Sequence, residues 1–279
     1  MSELSKLEYL FKQGKISRRE LIKHASILGL AAAISPSFLL DTAEAATPKK
    51  GGRFIFACSG GSTTDSLDPG TLVSNHNQNM NWQLRNCLVE IDHNFKPIPE
   101  LAESWESSPD AKVWTFNLRK GVEFHNGKTM TAADVIYSLQ HHRGEESKSA
   151  GKAYLKAIES IKADGKYKVI FKLSGGSADF PFLLADYHLT IFPEGIKGAE
   201  FEKGMGTGGY ILKDWEPGVR SFVTRNPNYW KEGRAHFDEV ETLAIVDGNA
   251  RTNALKTGQI HFMDRCDVKT VHLLKRMKG

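Results

Sequence analysis

Residues 99–142 read PELAESWESSPDAKVWTFNLRKGVEFHNGKTMTAADVIYSLQHH. Trp114, Phe116 and Leu118 alternate with Thr115, Asn117 and Arg119, the period of a strand with one buried face. Lys120-Gly121 breaks the run, Val122 and Phe124 resume it, and Asn126-Gly127 supplies a turn that needs positive φ. Thr131 stands three residues before Asp134, a variant capping box, ahead of Val135, Ile136 and Leu139 at helical spacing. In order, the stretch predicts a short helix, a tight turn, a two-stranded hairpin and a capped helix. Taken alone, this is an α+β core segment.

Similar patterns extend on both sides. Upstream, Gly51-Gly52 opens a strand over 53–58, followed by the small polar loop 59–65 and the tetrapeptide Ser66-Leu67-Asp68-Pro69. Met80, Leu84 and Leu88 share one face of a helix expected over 76–89, and 90–95 reads as strand and turn. Downstream, 143–155 is a polar loop leading into a helix. Ile158 and Ile161 precede the turn Asp164-Gly165, Val169, Phe171 and Leu173 alternate, and 179–184 begins a short helix. Gly206-Thr207-Gly208-Gly209-Tyr210, the turn at 215–218, Arg225-Asn226-Pro227-Asn228-Tyr229-Trp230, Asp247 and 254–260 (ALKTGQI) follow.

These blocks, in this order, resemble the extracellular solute-binding proteins of peptide, opine and nickel ABC importers. The matching elements are SLDP, a pattern from Leu88 to Trp105 ending in PxLAESW, GTGPY (here with Gly209 in the proline position), RNPxYW and ALxxGxID (here with His261 in the aspartate position). The resemblance spans roughly residues 51–262. It implies a mixed α/β fold, a periplasmic-binding-protein-like lobe with an inserted α+β subdomain. Residues 46–85 and 205–279 would form the first lobe and 86–204 the insertion. Relatives continue through a second lobe, so the chain is expected to be a truncated product lacking most of it.

The front end reads as an export signal, residues 1–45. Ser17, Arg18, Arg19, Leu21 and Lys23 fit the twin-arginine pattern, an apolar run covers 25–33, and Ala43-Glu44-Ala45 predicts cleavage between Ala45 and Ala46. A basic amphipathic helix is the competing reading of Arg18-Arg19. The twin-arginine translocase would export a folded protein to the periplasm. Cys58 lies in a poor lipobox and reads as a buried strand residue.

Beyond the signal, about 234 residues remain, enough for a substantial core. They carry 31 Lys and Arg against 28 Asp and Glu, dispersed along the chain, which leaves no nucleic-acid footprint. Three scattered cysteines, Cys58, Cys87 and Cys266, make neither a disulfide framework nor a CxxC metal site and read as free thiols. Ten histidines lack HxxxH or HExxH spacing, and His141 and His142 diverge by about 100° on a helix. No GxSxG elbow is present, and no cofactor is expected.

Candidate ligand contacts carry two readings each. Loop 60–65, with Thr64, either cradles a polar ligand or merely joins strand to helix. In resembling proteins, first-lobe contacts come partly from just after SLDP. Asn75, His76 and Asn77 fill that slot, unless this is a solvated helix start with Asn75 as cap. Asp186, Tyr187 and His188 either reach the cleft or form a core-edge tyrosine with a surface histidine. Glycines 206–209 read as turn glycines beside a crossover. The resemblance implies a monomer that captures a peptide or similar polar solute by lobe closure and delivers it to an ABC permease and its ATPase subunits. It also places an acidic anchor for a peptide amino terminus on the second lobe. A secreted enzyme on an unrelated α+β scaffold and a sensory solute-binding protein are the rival readings.

Overall fold

The computed structural model describes residue 24, residues 49–269 and residues 271–276. The twin-arginine residues Ser17, Arg18, Arg19, Leu21 and Lys23 and the cleavage pair Ala45 and Ala46 lie outside the described residues. In chain order the first strands are β1 (Arg53–Cys58), β2 (Val89–Ile91), β3 (Pro97–Pro99), β4 (Ala102–Ser107) and β5 (Val113–Leu118). They are followed by β6 (Ile158–Ala163), β7 (Lys168–Leu173), β8 (Tyr210–Glu216), β9 (Arg220–Arg225), β10 (Glu239–Ala244) and β11 (Phe262–Met263). Helices are α1 (Asn75–Leu84), α2 (Ala132–His141), α3 (Phe180–Leu183), α4 (Gly248–Lys256) and α5 (Val271–Leu274).

A five-stranded sheet runs in the order β11-β1-β10-β9-β8. β1 is parallel to β10, with Arg53 opposite Glu239 and Cys58 opposite Ala244, and parallel to β11 on its other side. Side chains alternate across this sheet. One face buries Val223 and Val240 against Leu67, Met80 and Leu84, the last two from α1. Ala57 and Met263 pack on Ala254 of α4 and on Ile260 in a separate cluster. A second sheet, β4-β5-β7-β6, is wholly antiparallel. Phe116, Phe171 and Phe180 meet edge to face above it, with ring centroids 5.2–6.1 Å apart.

The decisive stretch holds a correction. The expected short helix at its start is the strand β4, which pairs with β5 and sets Trp105 5.8 Å from the Phe116 ring. Backbone pairing with the next strand, β5, outweighs the helix preference of an Ala-Glu run. The expected hairpin is also absent. β5 lies between β4 and β7, and Val122 and Phe124 are buried in a segment that makes only an isolated bridge, Glu123 to Thr129. The Asn126-Gly127 turn forms as read, with Gly127 at φ 82°. α2 opens with the Thr131–Asp134 capping box, whose Asp134 also receives Lys128 Nζ at 2.5 Å.

α1 begins one residue earlier than expected and stops at Leu84. Ser74 is its N-cap, in a reciprocal box with Asn77, so Asn75 is the first helical residue rather than the cap. The helix ends because backbone from 206–208 crosses its last turn. A Cβ on Gly206 would lie 2.1 Å from the Leu84 carbonyl oxygen. Arg85 turns inward, fully buried, and donates to the carbonyls of Met205 (2.9 Å) and Leu67 (2.8 Å) and to Asn81 Oδ1 (2.8 Å). The three cysteines are free thiols, Cys58 and Cys87 buried and Cys266 partly so.

Candidate functional site

The carboxyl ends of the parallel strands β1, β10 and β11 converge on one edge, the position where open α/β sheets bind ligands. Ser59 follows β1 and Asp264 follows β11, and Asn75 opens α1 between them. Ser59 Oγ donates to Asp264 Oδ2 at 2.8 Å. Asn75 Nδ2 donates to Ser59 Oγ at 2.6 Å and to Asp264 Oδ2 at 2.9 Å. Behind them, Arg251 of α4 is only 4% exposed. Its Nη1 donates to the carbonyls of Ile245 (2.6 Å) and Val246 (2.8 Å), and its Nε lies 3.6 Å from Asp264 Oδ1 without hydrogen bonding to it. The cluster therefore combines a carboxylate, an amide, a hydroxyl and a guanidinium at a strand-end edge, a set suited to holding polar groups.

Loop 59–65 is pinned from below by Asp65. Its carboxylate accepts from the Ser62 backbone N–H (3.0 Å) and from Ser74 Oγ (2.6 Å). Thr64 is exposed, its hydroxyl 2.8 Å from Ser62 Oγ. His76 and Asn77 point into the protein. Burial pushes the His76 pKa down to about 4, and its ring packs 4.9 Å from Trp215. Asn77 completes the cap and reaches Asp65. Of the three residues after SLDP, the structure thus leaves Asn75 partly accessible and turns the other two inward. SLDP itself is a folding element: Asp68 accepts from the Gly70 N–H (2.8 Å) and contacts His141 Nε2 (2.6 Å).

Segment 186–188 joins the same region. The buried His188 ring spans two partners, with Nδ1 2.7 Å from Asp186 Oδ1 and Nε2 3.2 Å from the Leu72 carbonyl. Asn81 of α1 donates to the Tyr187 carbonyl at 2.7 Å. These bonds sew Asp186 and Tyr187 to α1 and to the loop that precedes it. The Tyr187 ring lies 4.0 Å from the His188 ring and the Tyr154 ring 6.4 Å from it. The Asp186 carboxylate raises the Tyr154 pKa; burial first, then Asp186, raises that of Tyr187.

Sequence reasoning missed Ser59, Tyr154, Arg251 and Asp264. No local motif marks them: pairing of β1 with β11 makes the strand ends at Ser59 and Asp264 neighbours, and Arg251 on α4 and Tyr154 in the 150–155 segment reach their partners only through tertiary packing. It also missed a pocket of about 370 Å³ lined by Trp82, Asn86, Glu90, Glu100, Tyr229 and Lys231. The His141 and His142 rings sit 5.1 Å apart, but each is committed elsewhere, His142 Nδ1 to Ser149 Oγ at 2.6 Å. Among the described residues no group of three or more His, Cys, Asp or Glu is placed to hold a metal, and no helix is long and apolar enough to cross a membrane.

Comparison with known proteins places this architecture. The oligopeptide-binding protein AppA of Bacillus subtilis is 28% identical over 249 residues, 84% of this chain and 45% of AppA. The periplasmic binding protein DppA of Helicobacter pylori, solved with the peptide STSA, superposes with a TM-score of 0.72 at 26% identity over 82% of this chain and 50% of that one. AgaA of A. tumefaciens R10, solved with agropinic acid, gives a TM-score of 0.74 at 29% identity over 81% and 46%. The chain spans about half the length of the proteins it matches. The profile described as bacterial extracellular solute-binding proteins, family 5 Middle, matches residues 96–279. With more than half of its residues matched and the fold shared, the chain belongs to the family 5 bacterial extracellular solute-binding proteins.

Proposed function

We propose that the chain supplies one wall of the substrate-binding component of an ABC importer, capturing a peptide or a similarly polar solute in the periplasm after twin-arginine export. The observation that carries this reading is the polar cluster Ser59, Asn75 and Asp264 at the carboxyl edge of parallel β1 and β11. Thr64, Asn75, Asp186 and Tyr187 contact ligand, and His76, Asn77 and His188 hold those residues from behind. The first lobe comprises 46–85 and 205–279 and the inserted subdomain 86–204, a division supported by the separation of the five-stranded sheet from the β2-β3 and β4-β5-β7-β6 sheets. The ligand leaves chemically unchanged, and closure draws its free energy from contacts made only in the closed state. The protein acts as a monomer that docks on the permease and its ATPase subunits.

Deleting the gene and measuring uptake of a radiolabelled dipeptide and tripeptide tests transport. Uptake falls at least tenfold and returns on complementation. Unchanged uptake together with a lost response to the solute would favour a sensory role, and turnover of the solute by purified protein would favour an enzyme.

A further inference from the structure

We infer that the pocket of about 370 Å³ beside Trp82 is a second small-molecule site, one that takes an organic carboxylate with an apolar body. Its volume lies within the range of about 300–1,000 Å³ usual for such sites. The site is separate from the strand-end edge and goes beyond the solute-binding reading. Asn75 opens α1 at that edge, whereas Trp82 lies two turns further along the same helix, about 10 Å away. Trp82, 45% exposed, joins Ile91 and Ala185 as the apolar part of the lining.

The polar part of the lining decides the sign of the ligand. Its carboxylates are engaged. Glu100 accepts from Asn86 Nδ2 (2.8 Å) on one oxygen and from the Cys87 N–H (3.0 Å) on the other. Lys231 Nζ donates to Glu90 Oε2 and stands 3.8 Å from Glu100 Oε1, so a ligand cation would have to displace Lys231. Asn86 Oδ1 already accepts from Thr207 Oγ1 (3.0 Å) and Trp230 Nε1 (3.4 Å). The spare capacity is in donors. Tyr229 Oη accepts from Asn86 Nδ2 at 3.2 Å, and its own proton meets no acceptor among the described residues. Burial pushes the Tyr229 pKa up to about 12, so the phenol keeps that proton at neutral pH. Among the described residues the Arg234 guanidinium and the Trp82 indole N–H have no hydrogen-bond or ion-pair partner either. A guanidinium, a phenol and an indole lining one cavity are complemented by an acceptor-only group, and a carboxylate is acceptor-only with several lone pairs to offer. Hydrogen bonds to an ionised acceptor are also the stronger kind, which favours the acid over its neutral amide.

The test is isothermal titration of the full chain at pH 7 with 4-phenylbutyrate, with its neutral amide 4-phenylbutyramide and with the cation 4-phenylbutylamine. The acid is expected to bind about tenfold or more tighter than either of the others. Arg234→Gln, a surface change, and Tyr229→Phe, which removes only the hydroxyl, each weaken the acid about fivefold to tenfold and leave the amide within about twofold. Trp82→Ala weakens acid and amide alike, by about fivefold, because it removes the shared apolar wall. An amide that binds as tightly as the acid, or an amine that binds more tightly, would overturn the assignment. Acid affinity untouched by all three substitutions would also overturn it, and so would the absence of binding by all three probes. The solute-binding reading is tested by uptake and stands or falls apart from these outcomes.

Discussion

Glu100 is 4% exposed and accepts from Asn86 Nδ2 at 2.8 Å and from the Cys87 N–H at 3.0 Å, with Lys231 Nζ 3.8 Å away. Burial outweighs these partners and pushes its pKa up to about 7. The folded chain therefore holds this proton more tightly than the unfolded chain does. Its contribution is complete below about pH 4.5 and is lost as pH rises to 7, on the order of 3 kcal/mol. His142 has the opposite sign. Burial lowers its pKa to about 3, so its contribution is complete above about pH 6.5 and is lost as pH falls. Urea unfolding at pH 4.5, 5.5 and 7 checks both. Glu100→Gln flattens the decline toward pH 7, and His142→Gln flattens the decline toward acid. Parallel pH profiles for wild type and Glu100→Gln would mean that Glu100 titrates alike folded and unfolded. Neither shift is legible in the sequence, where Glu100 occupies a variable place in a recurrent motif and His142 is one of a pair ending a helix.

At the scale of elements, α1 shows how local and distant residues divide the work. Its start is local: Ser74 caps it and also donates to Asp65 Oδ2 at 2.6 Å. Ser74→Ala should cost about 1–2 kcal/mol, read from the urea midpoint. Its end is nonlocal. Leu88 continues the apolar spacing past the true terminus, and only the crossing strand of glycines stops the helix. A Cβ on Gly208 would lie 2.4 Å from the Gln83 carbonyl oxygen. Gly208→Ala should therefore destabilise by about 3 kcal/mol or more. Gly175→Ala, where nothing lies within 4 Å and φ is not positive, should stay within about 0.5 kcal/mol. Equal effects of the two glycine changes would contradict a steric stop.

Across the whole molecule, Asp264 and Arg251 connect the sheet to the proposed ligand edge. Asp264 binds Ser59 and Asn75 on one side and faces the guanidinium on the other. Removing it leaves a nearly buried cation short of its counter-charge, so Asp264→Ala should cost about 2–3 kcal/mol. Arg251→Met should recover part of that loss in the double variant, with a coupling of about 1 kcal/mol or more from a thermodynamic cycle. Additive losses would show that the two charges do not act together. The same pair marks the limit of sequence reading for the site: Asn75 and Thr64 lie in a stretch that motif order singles out, whereas Asp264 has no local signature.

Period-two alternation at Trp114–Leu118 and Val169–Leu173, the Thr131 cap, the Asn126-Gly127 turn and the ordered motifs were sufficient by themselves to place β5, β7, α2 and the family. Those features are local, because side-chain direction and turn chemistry depend on neighbours within a few residues. Tertiary structure alone decided that LAESW is a strand, that α1 halts at Leu84, that His76 turns inward, and that Ser59 meets Asp264. The strand at LAESW depends on β5, which follows it closely, and each of the other three on a partner far along the chain: Gly206 crosses Leu84, Ser221 meets His76 145 residues away, and Ser59 bonds to Asp264, 205 residues away. Periodicity specifies which face of an element is apolar, but not which distant element covers it.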